Sequence, residues 1–162
     1  MTETPKANTS AVSDPTRARA EWMGILARAP ESQLEAAWDD LSVGHGDVSY
    51  SLLRAPEKGL VMVRGRAGGD GQAFNLGEMT VTRGSLRLED GLVGHAYVPG
   101  RNRDHARIAA ICDALMQGAC AGEVQRTVIE PLHSAYMARR AQTAGQAEKT
   151  RVDFFTMVRG EN

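Results

Sequence analysis

Only two cysteines occur among the 162 residues, and aromatic side chains make up 5% of the chain. Cys112 and Cys120 are eight residues apart in one predicted helix. At 1.5 Å of rise per residue they stand about 12 Å apart, beyond disulfide reach. A disulfide framework is thereby excluded, and a reducing, cytoplasmic setting is expected. Neither sign of charge is in excess: 19 Lys and Arg face 20 Asp and Glu, for a net charge of −1. No global basic field calls for nucleic acid or an anionic membrane. Apolar runs stay well below the roughly 18 residues that suggest a membrane span. The opening MTETPKANTSAVSD has no apolar stretch and carries acid, so we expect neither a secretory signal nor an anchor there.

Motifs of chemistry are equally sparse. No CxxC occurs, and His45, His95, His105 and His133 lack the close helical spacing of a zinc site, so no metal is expected. A GxSxG elbow is absent, and no cysteine stands near a plausible histidine, so no catalytic residue can be assigned. The glycine-rich RGRAGGDGQ lies between strands and has no Gly-Lys-Ser/Thr, so it reads as a β-turn rather than a phosphate loop.

The residues that are present specify an α+β fold. Residues 1–13 are polar without apolar period and read as disordered, ahead of a single domain over 14–150. Asp14 and Pro15 form a favoured helix start, and Ala18, Trp22, Ile25 and Ala29 make one stripe before Pro30. Ser32 and Glu35 have capping-box spacing for a second helix, with Leu34, Trp38 and Leu41 on its apolar face. The period then shifts toward two. DVSYSLLR and GLVMVRGR read as strands joined by APEKG, with Leu60 to Val63 apolar on both faces as in a central strand. Two more strands follow around the turn Glu89-Asp90-Gly91. Met79 and Val81 against Leu86 and Leu88 change parity, which places a bulge at Gly84. The expected sheet is an antiparallel meander of about four strands.

Helical period returns at Asn102, where Ile108, Ile111, Cys112, Leu115, Met116 and Ala119 form a stripe. A further helix after Gly122 is kinked or restarted by Pro131. Two or more C-terminal helices are therefore expected, ending in the extended tail 151–162, RVDFFTMVRGEN. That tail holds two of the three phenylalanines, an odd place for them in a chain so poor in aromatics. Phe154, Phe155, Met157 and Val158 point to a docking surface on another subunit or on the chain's own sheet. Two fully buried phenylalanines contribute about 3–6 kcal/mol before ordering costs.

One charged cluster carries a possible anion site. Arg101, Arg103 and His105 open the helix after Asn102, where free N–H groups and arginine geometry favour phosphate or carboxylate. Solvated salt bridges or a partner contact are the plainer readings of the same side chains. Arg64, Arg66 and Arg83 join the cluster only if they point the same way.

EWMGILARAP, the long middle from EKGLVMVRGRAGGDGQ to DALMQ, and RVDFFTMVRGEN together resemble the PhnG family of the bacterial carbon-phosphorus lyase system. The resemblance covers nearly everything beyond residue 15. It implies a subunit that sits with PhnH, PhnI and PhnJ in a two-fold core complex, with the ATPase-like PhnK and PhnL associated. It further implies that, with PhnH, PhnI and PhnL, the family supports displacement of adenine from ATP by methylphosphonate. The product is α-D-ribose 1-methylphosphonate 5-triphosphate. ATP is then a substrate of the complex, no cofactor belongs to this chain, and iron-sulfur radical chemistry belongs to PhnJ. No catalytic residue carries over by the resemblance.

Overall fold

The computed structural model describes residues 14–149, apart from Asp47 and Gly69. The expected tail, with Phe154, Phe155, Met157 and Val158, lies outside the described residues, as does 1–13.

Helix α1 spans Pro15–Arg28, and its start follows the sequence closely: the Asp14 carboxylate accepts from the Thr16 N–H, and Pro15 opens the first turn. Helix α2 spans Glu31–His45 with Pro30 as its N-cap and no side-chain capping bond. The capping box expected from Ser32 and Glu35 is therefore not used, because the fixed φ of Pro30 starts the helix before Ser32 can serve as cap.

Among the described residues three strands follow, not four. β1 runs unbroken over Tyr50–Arg66, β2 over Ala73–Leu88 and β3 over Val93–Pro99, in the antiparallel order β1-β2-β3. APEKG does not interrupt β1 because β1 is an edge strand, where a proline removes no ladder bond if its nitrogen faces outward. Register slips after Leu52 and after Arg54 absorb the irregularity. Leu60 to Val63 belong to this edge rather than to a central strand, and Leu60 and Met62 are exposed. The bulge expected at Gly84 is displaced: β2 pairs with β3 without a slip from Val81 to Arg87. Gly84 instead admits the bulged partner, since a Cβ there would lie 3.4 Å from both the Arg54 carbonyl oxygen and the Pro56 Cα. The β2–β3 turn forms as read, with Gly91 at φ 91° and Asp90 accepting from the Leu92 N–H.

Helix α3, Arg103–Leu115, is the centre of the fold, and His105, Ala106 and every residue from Ile108 to Ala114 are buried. A helix buried on so many sides needs cover on both flanks. The sheet covers one side through Leu86, Ala96 and Val98; α1, α2 and the later helices cover the rest. Small side chains let the layers approach: Ala110 and Ala114 of α3 sit directly on Gly94 of β3.

Beyond it come α4 (Ala121–Val124), a π-helical turn (Gln125–Ile129) and α5 (Glu130–Lys149), one after another without a gap. Pro131 lies just past the π turn. Its missing N–H and its ring are accommodated by the wider turn, so the chain continues helical instead of breaking.

A buried polar knot joins α1, β3 and α3. Asp113 is fully buried, and its carboxylate accepts from Arg19 Nε at 3.1 Å, Arg19 Nη2 at 2.7 Å, Trp22 Nε1 at 2.9 Å and the His95 N–H at 2.9 Å. Four donors satisfy a charge that would otherwise be prohibitive to bury.

Candidate functional site

The α3 start places the expected anion cluster first. Asn102 caps the helix, and its side-chain oxygen accepts from the N–H groups of Asp104 (2.8 Å) and His105 (3.0 Å). Two of the free donors on which an anion would rest are thus already engaged. Arg101 and Arg103 are exposed, whereas His105 is buried with Nε2 2.8 Å from the Leu26 carbonyl oxygen. The fold therefore turns His105 inward, away from any shared surface site with the two arginines. Arg83 pairs with Glu57 at 2.9 Å.

Cys112 offers no nucleophile. Burial, then the neighbouring Asp113 charge, push the Cys112 thiol up to about 12, so it stays protonated and inert at neutral pH. Among the described residues no group of three or more His, Cys, Asp or Glu stands together as a metal site, and no helix is long and apolar enough to cross a membrane.

Two further surface features stand out. A cleft of about 490 Å³ between α1 and the later helices is lined by Trp22, Ile25, Met116 and His133, with Arg28 and Tyr136 also in its wall. The Arg28 guanidinium carbon lies 5.2 Å from the Tyr136 ring centroid, so this cation is already partnered by the aromatic face.

The second feature is a surface of strands. Pairing of β2 with β3 ends at Val81 and Pro99, with one last bond from the Gly100 N–H to the Thr80 carbonyl at 2.9 Å. Apart from that bond, residues 60–66 of β1 and 73–80 of β2 pair only with each other among the described residues. The result is a two-stranded ribbon extending past the core. Leu60 (64% exposed), Met62, Phe74, Leu76 (66%) and Met79 stand on it in solvent. These five residues were not singled out as a site by the sequence. Their signal was there, in an apolar run on both faces, but the same run is what a buried central strand would show.

The sequence has counterparts among known proteins. The model of the phosphonate metabolism protein PhnG family matches residues 17–160. The chain belongs to the PhnG family. It is 47% identical over 148 residues to the α-D-ribose 1-methylphosphonate 5-triphosphate synthase subunit PhnG of Rhizobium meliloti (strain 1021), covering 89% of this chain and 90% of that relative. The matched family segment takes in the ribbon, the Asp113 knot and most of the tail.

Proposed function

We propose that this chain is a non-catalytic subunit of an α-D-ribose 1-methylphosphonate 5-triphosphate synthase, acting in phosphonate catabolism. The exposed apolar ribbon carries this reading, since an apolar surface of that kind suits cover by a partner, and the relative from Rhizobium meliloti is named as a subunit of that synthase. PhnH-, PhnI- and PhnJ-like chains are the proposed partners, with PhnK- and PhnL-like ATPases associated, in the cytoplasm. In the reaction a methylphosphonate oxygen bonds to the ribose C1 of ATP while the C1–N bond breaks and adenine leaves. In that reaction this chain holds the partner subunits together. The tail residues Phe154, Phe155, Met157 and Val158 form a second contact in the same assembly.

An isolated two-stranded ribbon is marginal in water, so cover by a partner is its natural complement. Each half-exposed Leu, Met or Phe that becomes buried adds about 1 kcal/mol, half the value for a fully exposed side chain. The test is co-expression with PhnH-, PhnI- and PhnJ-like chains followed by size-exclusion light scattering. The wild-type chain is expected in one defined assembly. The double variant Met62→Asp, Leu76→Asp should keep its helical circular dichroism and leave the assembly, and a chain cut after Arg151 should be retained less tightly. Full co-elution of the double variant would remove the ribbon from the interface.

A further inference from the structure

The solvent face of the sheet carries a second cluster, away from α3. Register places Glu57, Arg83 and Tyr97 in one row across the three strands, and Arg54, Ser85 and His95 in the next. Directly paired residues share a face, and alternation puts this face opposite the buried Leu86, Ala96 and Val98. Arg54, Arg83, Ser85, His95 and Tyr97 line one groove of about 510 Å³, with Met23 of α1 at its rim.

The way Glu57 sits there is informative. Its Oε1 atom alone contacts both cations, taking Arg83 Nε at 2.9 Å and standing 3.6 Å from Arg54 Nη1. Both Nη atoms of Arg83 have no partner among the described residues. One carboxylate therefore holds two guanidiniums side by side while leaving their outer donors open and the local charge positive. The arginine side chains are 46% and 56% exposed, so a solute reaches them. His95 is held from behind, its backbone N–H donating to the buried Asp113, while the residue itself stands exposed on the groove side. The Ser85 hydroxyl and Tyr97 phenol add neutral donors to the two forks.

We propose that this groove binds a phosphorus oxyanion, either a phosphonate or the phosphate chain of a nucleotide. Two guanidinium forks suit several oxygens of one tetrahedral group, which a lone carboxylate does not use up. The site adds to the subunit reading, which supplies only the choice of probes.

The test uses the ¹⁵N-labelled full chain titrated with tripolyphosphate, methylphosphonate and inorganic phosphate at constant ionic strength. Amide signals of Ser85, His95 and Tyr97 are expected to move saturably. Arg83→Gln and Arg54→Gln should each weaken binding at least tenfold with an unchanged melting temperature, and Arg103→Gln should bind as wild type. Tighter binding of methylphosphonate assigns the groove to the phosphonate, and tighter binding of tripolyphosphate assigns it to the phosphate chain. Equal shifts with chloride, shifts centred on Arg101 and Arg103, or wild-type affinity in Arg83→Gln would each overturn the proposal. A chain that enters the assembly but shows no saturable shift rules out the groove and leaves the subunit reading intact. Saturable binding without co-elution does the reverse.

Discussion

Gly94→Ala is expected to abolish cooperative folding at 37 °C or lower stability by about 3 kcal/mol or more, at or beyond the upper end of ordinary overpacking. A Cβ built at Gly94 overlaps the Ala110 carbonyl oxygen and lies 2.9 Å from both the Ala110 carbonyl carbon and the Ala114 nitrogen. All three are backbone atoms of α3. No rotamer change relieves them, so the helix must move off the sheet, and Leu86, Ala96 and Val98 lose part of their cover with it. Gly77→Ala is the matched control, since a Cβ there meets nothing within 4 Å. In a strand interior that exchange should be neutral or stabilising by about 0.5 kcal/mol. Guanidinium melts of the two variants check the pair, and a Gly94→Ala midpoint equal to wild type would show that α3 does not pack as described.

Asp113→Ala should cost about 3–5 kcal/mol, the usual penalty for breaking a buried ion pair from one side. Arg19 is 32% exposed and recovers some hydration, but Trp22 Nε1 and the His95 N–H lose a fully buried acceptor. Against a total stability of about 5–15 kcal/mol this is a large fraction. Arg19→Ala leaves the opposite half of the pair, a buried carboxylate with two neutral donors remaining. The double variant should therefore cost less than the two single losses added together, because the partners share one interaction. Urea melts of the three variants measure the coupling; strict additivity would contradict the knot.

Much of this was legible from local chemistry. Asp14-Pro15 and the turn at Glu89 to Gly91 follow from short-range rules and form as read; the stripe after Asn102 holds only as far as Leu115, where α3 ends, so Met116, Ala119 and Cys120 lie beyond the helix that holds Cys112. Tertiary placement was not legible. The apolar run at Leu60 looked central because two-sided burial leaves the same pattern whether the cover comes from this chain or another. Pro56 looked like a break because proline's cost depends on edge position, which only the sheet order reveals. His105 looked like a site residue beside two arginines, yet its position on α3 faces Leu26, 79 residues away in sequence. Asp113 drew no notice at all, since its partners Arg19 and Trp22 lie 94 and 91 residues away. No local motif could announce it.

Hydrogen exchange on the ribbon amides, residues 60–66 and 73–80, tests the assembly reading most directly. In the isolated chain these amides should exchange far faster than those of α3, since a two-stranded element outside the core opens at little cost. In the complex with PhnH-, PhnI- and PhnJ-like chains they should slow at least tenfold while α3 stays as protected as before. Ribbon amides that exchange equally fast free and assembled would contradict the interface assigned to this chain.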